Sequence, residues 1–399
     1  MRRTIKRSIA PLVALALIGA ACTSDDDTTT DAPDDAPVQP DTDDAPEPDD
    51  GDDDVTETPE PDDAPDTDDD TTDTVVEVQT GDSRLDAVLD AGEIRCGTRN
   101  ELPGFAIVDA DGDHVGFDSD FCRVIAAGIL GDADAVVMVD LETADRFTAL
   151  QSGEIDVLVR NTTWTATRDG AEGATFLQTT FYDGQGMMVA SDSGFDALTD
   201  LDGVIVCVAQ GTTTEGNAAS ESARLGLDWE VRAFENPDLI QEAFVAGQCD
   251  GWSSDVSQLT GLRSAFPDGP DALTILPEVF SKEPLGPAVA DGDTEWAQAV
   301  NWTILATIQA EEFGITSANV DDFLDSEDPA VQRFLGLEVE GDAVLDPGLG
   351  LPTDFARQIV TQVGNYAEIF EEHLTPLGLE RGVNSLWTEG GILYAPPYR

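Results

Sequence analysis

Between residues 25 and 77 the chain carries 25 Asp or Glu and neither Lys nor Arg, with Pro, Thr and Ala supplying most of the rest. Such a segment has too little apolar surface to offset the entropy of ordering it, so it cannot form a core. Like-charge repulsion and proline stiffness keep it extended. Whatever folds must therefore do so within the 320 residues from Thr80 to Arg399. That length exceeds the size at which single cores stop growing, so two lobes are expected.

The acid excess is not confined to that segment. Four of the 19 Lys and Arg (Arg2, Arg3, Lys6 and Arg7) precede it, leaving 15 bases against 57 acids and a net charge near −42 in the foldable part. Phosphate recognition needs a basic surface, which excludes nucleic acid as a partner. The excess is read as a solubility adaptation and says little about chemistry.

The first residues set the compartment. After the four bases comes an apolar run over 9–21, about half the length of a bilayer span, so it reads as a secretory leader and not as a transmembrane helix. Gly19-Ala20-Ala21 before Cys22 resembles a bacterial lipobox, although Gly19 stands where Leu or Val is usual. The resemblance implies that residues 1–22 are a lipoprotein leader and that Cys22 is acylated. Residues 23–82 then tether the folded part to the outer face of the cytoplasmic membrane. The alternative is an ordinary secretory leader in which Cys22 is incidental.

Beyond residue 83 short apolar runs alternate with amphipathic stretches, a pattern of α/β layers. Helices are expected over 84–90, from Asp118 as N-cap, and over 143–151; strands are expected over 94–97, 135–139 and 155–159. The pattern then restarts. Strands are expected over 204–208, 231–234 and 250–253, with helices after Thr214 and over 238–246.

Several segments in this frame resemble the polar amino-acid-binding proteins of ATP-driven importers, and particularly their general L-amino-acid branch. They include Leu102-Pro103-Gly104-Phe105, Gly116-Phe117-Asp118, Arg146-Phe147-Thr148-Ala149-Leu150-Gln151-Ser152-Gly153 and Arg160-Asn161-Thr162-Thr163-Trp164-Thr165. Gln210-Gly211-Thr212-Thr213-Thr214, Ser281-Lys282-Glu283-Pro284-Leu285-Gly286-Pro287 and Tyr394-Ala395-Pro396-Pro397 continue the series in order. The resemblance implies a two-lobed periplasmic-binding-protein fold of type II, with the ligand in the cleft. One lobe takes residues 83–187 and 287–399, the other 188–286. Met187-Met188-Val189 and Ala288-Val289 are the expected crossover strands. The implied partners are a free L-amino acid and a membrane permease.

A zwitterion needs a cation for its carboxylate, an anion for its ammonium and neutral groups around both. Arg168 follows a run of Thr and Asn after a buried strand and matches the family's carboxylate-binding arginine. Thr213 lies in a turn before a helix, where N–H groups favour an anionic oxygen. Asp255 matches the acid that takes the ammonium, and Asn161 and Thr163 match serines that bond both ends of the ligand backbone. Thr143 and Leu102 stand where narrow-specificity relatives carry aromatics, which fits a tolerant pocket. Phe105 and Trp164 are candidate apolar walls and equally ordinary core residues.

With Cys22 committed to lipid, Cys96, Cys122, Cys207 and Cys249 remain, an even set that reads as disulfides in an exported protein. Three connectivities are possible. The lobes implied by the resemblance favour Cys96–Cys122 and Cys207–Cys249. No cofactor or metal is expected: no two cysteines are close in sequence, and the histidines are His114 and His373. Nor is catalysis expected, because neither histidine lies in a resembling segment and no paired carboxylates stand out. An amino-acid sensor that presents its ligand to a signalling partner is the alternative receptor reading.

Overall fold

The apolar runs at Ile94–Thr98, Val136–Asp140 and Val157–Leu158 form parallel strands, each reached through a helix. Parallel neighbours need such crossovers, and the helices cover the sheet faces. Ala288–Ala290 and Ala174–Phe176 complete a five-stranded sheet, both entered antiparallel, in the order 136–140, 94–98, 157–158, 288–290, 174–176. These observations come from a computed structural model that describes residues 83–399 apart from 340. The leader, Cys22 and the acidic tether lie outside the described residues.

A second sheet repeats the plan. Ile205–Ala209 pairs in parallel with Glu230–Phe234 and Gly251–Asp255, and Gln185–Ala190 and Leu273–Ile275 add antiparallel strands. The restart of the sequence pattern after residue 200 is this second sheet. The chain passes between the sheets through Phe181–Asp183 and Glu283–Leu285, which pair antiparallel with each other. Those passages lie a few residues before 187–189 and 288–289, both of which are inside the sheets. The pairing puts Asp183 opposite Glu283, at the junction of the two lobes.

The helix Phe117–Leu130 starts at Gly116, not at an Asp118 cap. Gly116 has φ 135°, and a Cβ there would lie 2.3 Å from the Phe105 carbonyl oxygen, so the approach of the 102–105 turn requires glycine. Asp118 lies inside the helix, and its carboxylate accepts from the Asn161 N–H at 2.7 Å. That bond helps hold Asn161 at φ 32°, the left-handed conformation of a non-glycine residue among the described residues. The disulfides are Cys96–Cys122, joining the first sheet to this helix, and Cys207–Cys249, within the second lobe.

Beyond the second passage, Thr294–Phe313, Phe355–Gln362 and Tyr366–His373 bury an apolar face against Phe117–Leu130. This C-terminal part reaches back to the first passage. Tyr366 Oη donates to the Thr180 carbonyl at 2.6 Å, and Asn384 bonds both the N–H and the carbonyl of Tyr182, at 2.7 and 3.0 Å.

Candidate functional site

In open α/β sheets, ligands bind beyond the carboxyl ends of the parallel strands. Here those ends from both sheets face one cavity. Arg99 follows Ile94–Thr98, Arg160 and Asn161 follow Val157–Leu158, Thr212 to Thr214 follow Ile205–Ala209, and Asp255 ends Gly251–Asp255; all of them line it. Its free volume is about 30 Å³, room for about two waters. Direct contacts cross it: Asn161 Nδ2 donates to Gln258 Oε1 at 3.1 Å, and the Thr163 and Thr213 hydroxyls are 3.5 Å apart. A ligand of amino-acid size must therefore part the lobes or displace side chains.

Arg168 is positioned locally. Thr165 caps the short helix Ala166–Ala171 by accepting from the Arg168 N–H, and the guanidinium turns back to donate to the Thr163 carbonyl at 2.8 Å. It is buried and forms no ion pair within 4.0 Å among the described residues. Burial lowers its pKa, against the pull of Glu283 and Asp255.

Asp255 comes from the opposite lobe. The helix Val256–Ser264 begins behind it, yet its carboxylate makes no capping bond. Burial, with repulsion from Asp183 and Glu283, pushes its pKa well above the carboxylate range, and Arg168 and Arg99 only partly offset this. Asp183, held by the N–H and hydroxyl of Ser257, is raised by burial to about 6. Thr213 donates to Glu283 Oε2 at 2.9 Å from the first turn of Thr213–Leu225. The arrangement thus offers a buried guanidinium and a buried carboxyl, neither ion-paired among the described residues, from opposite lobes, with hydroxyls and amides between them.

The sequence matches the bacterial extracellular solute-binding proteins, family 3, over residues 94–317. The chain belongs to that family. This solute-binding protein is 47% identical over 318 residues to the general L-amino acid-binding periplasmic protein of Rhizobium johnstonii, spanning 79% of this chain and 92% of that one. It is 43% identical over 321 residues to the glutamate/glutamine/aspartate/asparagine-binding protein of Rhodobacter capsulatus, covering 79% and 94% of the two chains. Among solved structures, a periplasmic binding protein from Brucella ovis with glutathione bound superposes with a TM-score of 0.77. It is 41% identical and covers 80% of this chain and all of that one. These relatives are named as binding proteins, not as enzymes.

Five residues singled out from the sequence (Arg168, Asp255, Thr213, Asn161 and Thr163) line the one cavity. Phe105 and Trp164 do not. Phe105 is fully buried in an aromatic cluster, its ring 5.9 Å from Phe117 and 5.5 Å from Phe181. Trp164 is 42% exposed and stacks on Phe176. The reason is strand geometry: the backbone at Thr163 bridges to Leu285, and successive side chains of an extended segment face opposite ways. Thr163 faces the cavity, so Trp164 faces out.

Sequence reasoning missed Arg99, Arg146, Arg160 and Gln258 as lining residues. Arg99 pairs with Glu101 at 2.6 Å. Arg160 donates to the Leu141 carbonyl at 2.9 Å and to Thr143 at 3.1 Å; burial lowers it to about 9, so it stays charged at neutral pH. Arg146 is pressed well below its usual value by burial and by the charges of Arg168, Arg160 and Arg99. The available signal was scarcity: among so many acids, four arginines between residues 99 and 168 stand at strand ends or helix starts.

Proposed function

We propose that this protein binds a free L-amino acid between its two sheets and delivers it to the membrane permease of an ATP-driven importer. One observation carries the reading. Arg168 and Asp255, both buried and each without an ionic partner among the described residues, face one cavity from opposite lobes, which complements the opposite charges of a zwitterion. The names of the Rhizobium and Rhodobacter relatives support an amino acid as the ligand. Arg168 grips the carboxylate through two parallel bonds and Thr213 joins it from the second lobe. Asp255 takes the ammonium, and Asn161 and Thr163 bond the ligand backbone. Because the groups belong to different lobes, contacts completed only on closure favour the closed form.

Calorimetry with two unlike amino acids tests this. Truncating one partner of a buried charged bond costs about 2 to 5 kcal/mol, or about thirty-fold to several thousand-fold in affinity. Arg168→Ala and Asp255→Ala should each lose that much for both amino acids, since the clamp reads only the shared backbone. Unchanged affinity, or loss for one amino acid alone, refutes the assignment. The receptor acts outside the cytoplasmic membrane, held by lipid on Cys22 and spaced from the bilayer by residues 23–82. Cys22→Ser should move it from the membrane fraction to the soluble one, and equal retention would rule out the anchor.

A further inference from the structure

In the first lobe a cavity of about 420 Å³ lies between the helix Thr294–Phe313 and the chain from Phe176 to Tyr182, which leads into the first passage. It shares no lining residue with the amino-acid cavity. The helix contributes Thr294, Ala297, Gln298 and Asn301, which recur at the spacing of one helical face. Trp164 lines it as well, delivered by the same pleat that sends Thr163 to the amino-acid cavity. Its ring lies parallel to that of Phe176, at an angle of 3° and 6.1 Å between centres, and stays 42% exposed.

Two properties define what fits there. No Asp, Glu, Lys or Arg lines the cavity, in a chain that is 25% charged. An ionised ligand would leave water without finding a counter-charge, so the occupant is neutral. Second, the polar groups are not used up by the protein. The Gln298 amide and the hydroxyls of Thr179 and Tyr182 make no hydrogen bond among the described residues. Asn301 commits only Oδ1, which accepts from the Gln178 N–H at 2.8 Å. Thr179 is only 4% exposed, and a buried hydroxyl is ordinarily bonded. A purely apolar occupant would leave these groups unmatched. A sugar ring matches both features. Its C–H face lies flat on an aromatic plane, and its hydroxyls both give and accept hydrogen bonds, as a carboxamide does.

We infer that this cavity is a second binding site, for a neutral saccharide. Trp164, backed by Phe176, is the stacking surface, and Gln298, Asn301 and Thr179 bond the hydroxyls. The site is independent of the amino-acid reading, because a neutral sugar offers nothing to Arg168 or Asp255.

The test is titration of the whole protein with maltose and with N,N′-diacetylchitobiose, followed by calorimetry and by the indole N–H signals in nuclear magnetic resonance. The two sugars share the neutral pyranose and differ in the acetamido group, so their affinity ratio separates a plain glucan from an N-acetylated glycan. At least one should bind at about millimolar concentration and shift the Trp164 signal, which is identified by its loss in Trp164→Phe. Trp164→Ala should weaken binding about tenfold or more, and Gln298→Ala about two- to tenfold, as expected for one aromatic contact and one neutral hydrogen bond. If Trp164→Ala does not fold, as judged by near-ultraviolet circular dichroism, Trp164→Phe, which should keep part of the binding, and Gln298→Ala decide. No binding of either sugar at about 10 mM, or unchanged affinity in Trp164→Ala or Gln298→Ala, overturns the site. Tighter binding of indole than of both sugars overturns the saccharide assignment in favour of an apolar ligand.

Discussion

Lowering the pH should weaken amino-acid binding, and Asp255 sets the size of the effect. In the cavity its carboxylate is buried and lies near Asp183 and Glu283, so its pKa stands well above the ordinary carboxylate value. Arg168 and Arg99 pull it down but do not restore it. A ligand ammonium favours the ionised form, so binding releases the proton that Asp255 holds at low pH. The sign follows directly: affinity rises with pH up to the raised pKa and levels off above it. Below that pKa each pH unit costs about tenfold, or about 1.4 kcal/mol. Asp183, raised to about 6 and adjacent, makes the pair titrate together, so the slope belongs to both carboxyls. Titration calorimetry between pH 5 and 8, in two buffers of unlike ionisation heat, reads affinity and proton release together. Asp255→Asn should bind weakly and show a much shallower slope. A wild-type affinity independent of pH with no proton release, or an unaltered slope in Asp255→Asn, would refute the reasoning.

Three other expectations follow from particular contacts. Cys207→Ser with Cys249→Ser should lower stability by about 3 to 4 kcal/mol, the chain-entropy value for a loop of 42 residues, as read by denaturant unfolding; an unchanged midpoint would count against it. Asp118 is raised to about 7 by burial, so the neutral form is favoured in the folded state, and stability present below about pH 4 is lost as the pH rises to about 7. Asp118→Asn keeps an acceptor for the Asn161 N–H and should flatten that part of the stability–pH curve, gaining at most about 4 kcal/mol at pH 8; a curve of unchanged shape would discount the burial argument. Asn384→Ala removes the side chain that bonds both backbone groups of Tyr182 in the passage between lobes, and should cost about 1 to 3 kcal/mol in thermal unfolding. No loss would mean that water replaces it.

The fold was legible because its periodicities are strong. The strands expected over 94–97, 204–208 and 231–234 appear as Ile94–Thr98, Ile205–Ala209 and Glu230–Phe234, within a residue or two. What local patterns misjudged was direction. Asp118 carries the sequence signature of a cap, but Gly116 begins the helix and frees that carboxylate to reach Asn161. Trp164 reads as a pocket wall because its neighbours are, and the pleat turns it away. Arg168 was identified through resemblance, whereas Arg146 was passed over although it lies in a quoted motif. The difference between a paired surface arginine and an unpaired buried one is not written in local sequence. It depends on whether the chain brings an acid to within 4 Å: for Arg95 it brings Asp156, whereas Arg146 feels the charges of Arg168, Arg160 and Arg99, only partly offset by Asp255. Functional charge in this cavity is thus defined by partners withheld among the described residues, a property of topology: the carboxyl ends of two sheets converge on one space and deliver guanidiniums to it, with Asp255 opposite.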